Sequence, residues 1–214
     1  MPLDYYENSS ISKQPTAALI LESGKVFWGQ GLGALTSKVG ELCFNTSQTG
    51  YQEILTDPSY SNQIITFTFP HIGIVGTNEL DTESSRIYAN GCVLNQPDNH
   101  QSNWRSESKL SFFFAKNNTP CITGVDTRHL TRLLATGGAM KAAIINFGKS
   151  ESNLGNLKQR LTQWSGLKNL DLASIVSTTK VYETSESVWD NSKNIYLQQD
   201  KSKYNIACID FGIK

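Results

Sequence analysis

At 214 residues the chain is long enough for one large domain, or for one domain with a small appendage. Lys and Arg total 19 against 19 for Asp and Glu, and 38% of residues are hydrophobic, which fits a globular chain with a packed core and not a disordered one. The zero formal charge and the lack of a strongly basic run disfavour nucleic acid as a partner, since phosphate neutralisation needs clustered Lys and Arg. No apolar stretch approaches the roughly 20 residues that span a bilayer, so a membrane is not expected as a partner either.

The opening Met1-Pro2-Leu3-Asp4-Tyr5-Tyr6-Glu7-Asn8-Ser9-Ser10 is acidic and polar, unlike a signal peptide. Cytoplasm is the expected address. Asn8-Ser9-Ser10 and Asn117-Asn118-Thr119 match the glycosylation pattern but carry no meaning without export. Cys43, Cys92, Cys121 and Cys208 form no CxxC pair, and in a reducing compartment they read as small buried hydrophobes. His71, His100 and His129 are equally isolated, so no metal site is expected.

In chain order, residues 1–15 form a polar leader. Residues 17–21 are apolar throughout and predict a buried strand; Ser23-Gly24 then turns the chain into a second strand at 25–28, a β-hairpin. Gly29, Gly31 and Gly33 follow. Their spacing is not that of a phosphate-binding loop and no helix succeeds them, so a bulge or bend is expected. Another strand covers 42–45, followed by a polar segment at 46–50. In Thr56-Asp57-Pro58-Ser59-Tyr60, Asp then Pro fit a β-turn with the Ser59 hydroxyl near its tip. Residues 63–69 alternate as a strand, placing Ile65, Phe67 and Phe69 on one face.

Strands are predicted again at 87–94, 121–125 and 140–146, with a helix over 106–116. Asp126 is placed to cap a helix over 127–134 whose apolar stripe is Leu130, Leu133 and Leu134, stopped by Gly137-Gly138. A helix over 154–164 has Leu154, Leu157, Leu161 and Trp164 in register, and a short helix covers 171–176. Residues 177–203 turn polar and read as a linker or loose edge. One apolar strand, 206–210, comes after them. A buried strand followed by a glycine is how a parallel α/β domain starts, so this strand either borrows a neighbour or belongs to a domain whose remainder is cut away.

The run Phe44-Asn45-Thr46-Ser47-Gln48-Thr49-Gly50-Tyr51-Gln52-Glu53-Ile54-Leu55-Thr56-Asp57-Pro58-Ser59-Tyr60 closely resembles the small, glutamine-hydrolysing subunits of carbamoyl-phosphate synthetases. So do Pro70-His71-Ile72-Gly73-Ile74-Val75-Gly76-Thr77-Asn78, with Asp81, Glu83 and Ser84 behind it, and the block Gly124-Val125-Asp126-Thr127-Arg128-His129-Leu130-Thr131-Arg132-Leu133-Leu134. The ending Asp210-Phe211-Gly212-Ile213-Lys214 resembles the opening strand of the family's class I glutaminase domain.

The resemblance implies an α/β fold: a layered β/β/α (swivelling-type) amino-terminal domain over 16–176, a linker at 177–203, and the first strand of a truncated glutaminase domain from 204. It also implies a role. The small subunit hydrolyses glutamine and passes ammonia to a large subunit, which makes carbamoyl phosphate from bicarbonate and ATP for arginine and pyrimidine biosynthesis. The amino-terminal domain contributes docking surface to that partner. ATP and Mg are expected on the large subunit only, and no cofactor in this chain.

The family's Cys nucleophile lies on a strand-to-helix elbow of G-x-C-x-G type, paired with His and Glu, and no such elbow occurs here. No catalytic residue is therefore expected in this chain, and it is expected to be inactive alone. An independent hydrolase pairing Cys43, Cys92 or Cys121 with His71 or His129 has no motif behind it.

The resemblance assigns Ser59 to the glutamine site, against a purely local role in its turn. Arg128 and Arg132, four apart on one helix face, fit either an internal pair with Asp126 or a surface Glu, or an intersubunit contact. Whether a separate polypeptide supplies the glutaminase half is left open by the sequence.

Overall fold

The computed structural model describes residues 14–96, 101–148, 154–198 and 203–213. Nearly all of the polar leader, with Asn8-Ser9-Ser10, and also His100 and Lys214, lie outside the described residues. The chain divides into two compact units, the larger reaching residue 170 and the smaller spanning 171–213.

In the larger unit, β1 (Ala17–Leu21) and β2 (Val26–Gly33) form the expected hairpin, with Gly24 at φ 87° in its turn. Next come β3 (Ser37–Asn45), α1 (Tyr51–Thr56) and β4 (Gln63–Phe67), then β5 (Gly91–Val93), α2 (Leu110–Lys116) and β6 (Pro120–Thr123). Helix α3 (Thr127–Gly137), β7 (Met140–Asn146) and α4 (Leu154–Gln163) complete it. The strands join in the order β1-β2-β6-β5-β4-β3-β7, and β7 returns to β1, so the sheet closes into a barrel. Pairing is parallel through β3-β4-β5-β6, where α1 and α2 provide crossovers, and antiparallel elsewhere. This is the mixed α/β class the sequence predicts.

The barrel interior is filled by one residue set from every strand: Leu19 and Leu21, Phe27, Leu42, Ile64, Val93, Ile122, Ala142 and Ile144. Leu130 and Leu134 of α3 join that cluster. The alternate residues point outward into two further clusters. Ile65, Phe67, Cys92 and Cys121 pack under Tyr51, Leu55, Leu110 and Phe114, while Ile20 and Ala143 pack under Leu157 and Leu161 of α4. Both faces of β1 and β4 are thus covered, which is why those strands are apolar at nearly every position.

Several expectations are corrected. The Gly29-Gly31-Gly33 run makes neither a bulge nor a bend before the strand ends; it lies within the eight-residue β2. Glycine is required there by close approach. A β-carbon on Gly29 would lie 2.3 Å from the Thr123 carbonyl oxygen, and one on Gly31 only 1.9 Å from Oδ1 of the buried Asn146. Asn146 in turn donates to the carbonyls of Leu32 and Gly33, pinning β2 to the end of β7. The strand predicted over 87–94 is realised only at Gly91–Val93, because backbone N–H groups of Tyr88 and Asn90 bond to Leu55 and Gln63 instead of a regular ladder.

The smaller unit begins with α5 (Leu172–Val176), capped by Asp171, whose carboxylate accepts from the Ser174 N–H. The polar stretch read as linker contains a hairpin, β8 (Glu186–Asp190) with β9 (Ile195–Gln198), held by the edge contact of Trp189 and Tyr196 at 5.0 Å. Residues 206–210 are not a strand: they join no ladder among the described residues, only Asp210 being held, by the Tyr182 hydroxyl, and Ile206 and Ile209 are 85% and 81% exposed.

Substituting Gly31→Ala should destabilise the larger unit by about 1–3 kcal/mol through overpacking against Asn146. Gly137→Ala, whose β-carbon would meet only Met140 Cε at 3.8 Å, should be neutral or stabilise by up to about 1 kcal/mol. Urea unfolding of the two variants checks both signs.

Candidate functional site

Ser59 is presented by a short, heavily braced turn. Gly50, at φ 76°, turns the polar 46–50 segment into α1, which buries Tyr51, Gln52, Leu55 and Thr56. Asp57 and Pro58 then start a single 3-10 turn, Pro58–Tyr60, because Pro presets the backbone and the Asp57 carboxylate accepts from the Ser59 N–H at 2.8 Å. The Tyr60 N–H donates to Asp57 C=O and the Ser61 N–H to Pro58 C=O, both at 3.0 Å. On the flank, Asn45 Nδ2 donates to the Tyr60 hydroxyl at 3.0 Å while its Oδ1 accepts from the Ser47 N–H at 2.8 Å. One residue thereby ties the end of β3, the 46–50 loop and the turn together. Asp57 meets the turn's own hydrogen-bonding needs. The Ser59 side chain is exposed, and its hydroxyl has no partner among the described residues.

The second motif block wraps around α1. The Gln52 amide closes a two-way pair with the backbone of Asn78, accepting from its N–H at 3.0 Å and donating to its C=O. The Tyr51 hydroxyl donates to Gly76 C=O, the Glu83 N–H donates to Thr56 Oγ1 at 2.9 Å, and the Ser84 hydroxyl donates to Thr56 C=O. Asn78 Oδ1 accepts from the N–H groups of Leu80 and Asp81, and Asp81 forms an ion pair with Arg105. Residues from two sequence-distant motifs are therefore one rigid body around a helix of six residues.

Sequence reasoning left 51–55 without an element, although Tyr51, Gln52, Leu55 and Thr56 follow helical spacing. It had no local signal at all for Arg105. Beside this body a cleft of about 380 Å³ is lined by Thr77, Glu79, Glu107, Phe112 and Lys116. Within the body, burial pushes the Glu53 carboxyl above its ordinary range, with Asp81 and Glu83 adding to the effect and its own backbone N–H and Arg105 opposing it.

Of the four cysteines expected to be buried, Cys92 and Cys121 are buried and Cys43 is half-buried, but Cys208 is exposed, because the segment around it packs against little. Cys43, between β-strand neighbours, donates to Gln63 Oε1, and burial with the Glu41 charge pushes its thiol up to about 12. Cys92 and Cys121 are fully buried and lie in register on β5 and β6. His71 is exposed against the Phe69 ring, and His129 Nε2 lies 2.8 Å from Lys25 Nζ. No cluster of three or more His, Cys, Asp or Glu suited to a metal occurs among the described residues. No helix among them is long and apolar enough to cross a membrane.

Helix α3 begins as expected, the Asp126 carboxylate accepting from the His129 N–H at 2.9 Å. Arg128 and Arg132 project into solvent, and neither forms an ion pair among the described residues. The internal pair with Asp126 considered from sequence is not made.

The family model described as the carbamoyl-phosphate synthase small chain, CPSase domain, matches residues 19–144. The carbamoyl phosphate synthase small chain of Bradyrhizobium diazoefficiens is 42% identical over 205 residues, covering 94% of this chain and 52% of that protein. Those of Escherichia coli K12 and Zymomonas mobilis are 42% and 39% identical, with 93% and 92% of this chain covered and 52% of each relative. The chain thus spans about half the length of the curated relatives it matches. Among solved structures, an aminopeptidase from Aneurinibacillus superposes at a TM-score of 0.37 and 15% identity, over 64% of this chain and 32% of that one, and no fold assignment is drawn from it.

Two measurements check the site's electrostatics. The raised Glu53 pKa means the folded state binds the proton more tightly than the unfolded state, so this group's contribution to stability falls as pH rises through that window. Glu53→Gln should therefore raise the melting temperature at pH 7, and the gain should shrink as pH falls below the ordinary glutamate range. With its pKa near 12, Cys43 is thiolate in only about one molecule in 10⁴ at pH 8. Iodoacetamide should label the exposed Cys208 first, and Cys43, Cys92 and Cys121 only on unfolding, as read by mass spectrometry.

Proposed function

The chain belongs to the carbamoyl-phosphate synthase small-chain family, and from that membership we propose that it forms the amino-terminal part of a glutamine-hydrolysing small subunit. In this reading it docks to the large synthetase subunit and completes the glutamine site, without turning over glutamine itself. The large subunit uses ATP, Mg and bicarbonate to make carbamoyl phosphate for arginine and pyrimidine biosynthesis, in the cytoplasm.

The observation that carries the reading is Ser59. An exposed hydroxyl without a partner, on a turn whose own hydrogen bonds Asp57 supplies, is suited to donate to or accept from a substrate's polar groups. The turn is also stiff, braced by Asn45 through Tyr60, so binding costs little reordering. A purely local role for Ser59 has less support, because its side chain contributes nothing to the turn that presents it.

The layered β/β/α arrangement of the family is proposed to correspond to a flattening of this barrel. Opposing walls then form the two sheets around the Leu19, Leu42 and Ile122 interior, with helices coating the outside. Residues 204–214 are proposed as the start of a glutaminase domain. Their apolar side chains support this, since Ile206, Ile209 and Phe211 are exposed within the smaller unit and the rest of such a domain would cover them.

Precipitating the protein from its native cells and identifying its companions and its own length by mass spectrometry tests the reading. A large ATP-dependent synthetase in the precipitate is expected; its absence would defeat the docking role. Peptides beyond Lys214 would assign the glutaminase to the same chain, and a separate glutaminase polypeptide would make this half of a split subunit. In the assembled enzyme, Ser59→Ala should raise KM for glutamine roughly 3- to 10-fold, the loss of about one neutral hydrogen bond. Ammonia-dependent synthesis should be unaffected.

A further inference from the structure

Strand β3 carries Lys38 on the interior face of the barrel. In the ladder with β7, Lys38 lies opposite Ile144 and Gly40 opposite Ala142, both partners belonging to the barrel core, and Leu42 continues the same row. Residues directly opposite share a face, so Lys38 takes the first inward position of β3, at one end of the barrel. Its Nζ reaches Thr119 Oγ1, just ahead of β6, at 3.4 Å. Thr119 is buried and gives its own hydroxyl proton to the Asn117 carbonyl at 3.1 Å, so toward Lys38 it acts as an acceptor.

Arg86 is held at the same end. Its segment is fastened on two sides of Lys38: the Ile87 N–H donates to Asn117 Oδ1 at 3.1 Å, and Asn90 Nδ2 donates to the carbonyl of Val39, the neighbour of Lys38, at 2.8 Å. The Arg86 guanidinium lies over the Tyr88 ring, 4.5 Å from its centre. Lys38 is half-buried and Arg86 exposed, and neither forms an ion pair among the described residues. Burial, and after it the Arg86 charge, hold the Lys38 amine below the ordinary lysine range. Two cations thus share one barrel mouth with no carboxylate paired to either.

We propose that Lys38 is an acylation site, its amine attacking small acyl phosphates whose phosphate group Arg86 holds. The site is separate from the Ser59 turn and does not depend on the docking reading above. A guanidinium presents a planar fork of donors matched to phosphate oxygens. A desolvated amine beside a second cation is the setting in which lysine serves as a nucleophile. Because Thr119 Oγ1 accepts from the amine, the nitrogen lone pair stays free for the acyl carbon. Once the ammonium has given one proton to water, that lone pair bonds to the acyl carbon. The bond from this carbon to the bridging phosphate oxygen breaks, phosphate leaves with the electron pair, and the surplus proton on nitrogen passes to it. The product is a neutral amide at the barrel mouth.

The test incubates the full chain with acetyl phosphate and follows acetyl-lysine at each position by mass spectrometry. Lys38 should be labelled about fivefold faster than the exposed Lys109 and Lys168, and inorganic phosphate should slow its labelling. Arg86→Gln should cut labelling of Lys38 by acetyl phosphate about tenfold, but labelling by the uncharged acetyl ester of N-hydroxysuccinimide only about threefold, since only the first reagent carries a phosphate. Arg86→Lys should keep most of the rate. Unchanged melting temperatures show that substitution of the exposed Arg86 leaves the fold intact. Lys38 labelled no faster than the exposed lysines would overturn the site. An equal loss with both reagents in Arg86→Gln would overturn the hold of Arg86 on the phosphate.

Discussion

Strand β7 closes the molecule. It is bonded along both edges, antiparallel to β1 over Ala142–Asn146 and to β3 over Met140–Ile145, and through these pairings a seven-stranded sheet acquires no free edge. Closure creates an interior that must be filled from every strand at once, and the alternating apolar residues do so, with the buried Asn146 at the end of β7. The same closure forces β2 against the end of β7 closely enough that Gly31 and Asn146 share one space. Glycine in β2 and asparagine at the end of β7 are therefore two halves of one packing solution.

A barrel wall with both faces buried gives the crossovers something rigid to stand on. The parallel step from β3 to β4 leaves room for α1, the loop before it and the turn after it, and all three are fixed to the wall by buried Tyr51 and Leu55. Burial of those side chains contributes on the order of 1.5–3 kcal/mol each, against about 0.5–1.5 kcal/mol for a neutral hydrogen bond in the loop. The hydrogen bonds contribute direction. Gln52, Asn78, Asn45 and Asp57 use short polar side chains to mimic missing backbone partners, and the outcome is a surface turn with one hydroxyl left to face solvent.

What the sequence discloses follows from which forces are local. The apolar run at 17–21, the Ser23-Gly24 turn, the Asp126 cap and the Leu154–Leu157–Leu161 stripe each read correctly because period and end chemistry lie within a few residues. The misreadings are equally physical. Gly29, Gly31 and Gly33 look like a break because the atoms that demand glycine belong to Thr123, Asn146 and Phe114, about a hundred residues away in sequence. The hairpin over 186–198 is hidden by its polarity, since it buries little and rests on a ring contact and a turn of Asp190 and Asn194. At the site, Asp57-Pro58-Ser59 is legible as a turn, but the Asp81–Arg105 pair that braces its neighbour spans 24 residues and leaves no local trace.

Helix α3 separates what stability requires from what it leaves free. Its buried stripe, Leu130 and Leu134 at 0% and 4% exposure, is worth several kcal/mol at about 1.5–3 for each side chain. The Asp126 cap adds on the order of 1 kcal/mol, whereas a cation at Arg128 costs a few tenths. The fold therefore tolerates the exposed arginines at little cost. The zero net charge of the whole chain is a sum over 19 basic and 19 acidic residues spread along it and says nothing of local charge. Beyond about 8–10 Å such groups are screened from one another, so a partner meets each surface by its local charge and not by the total.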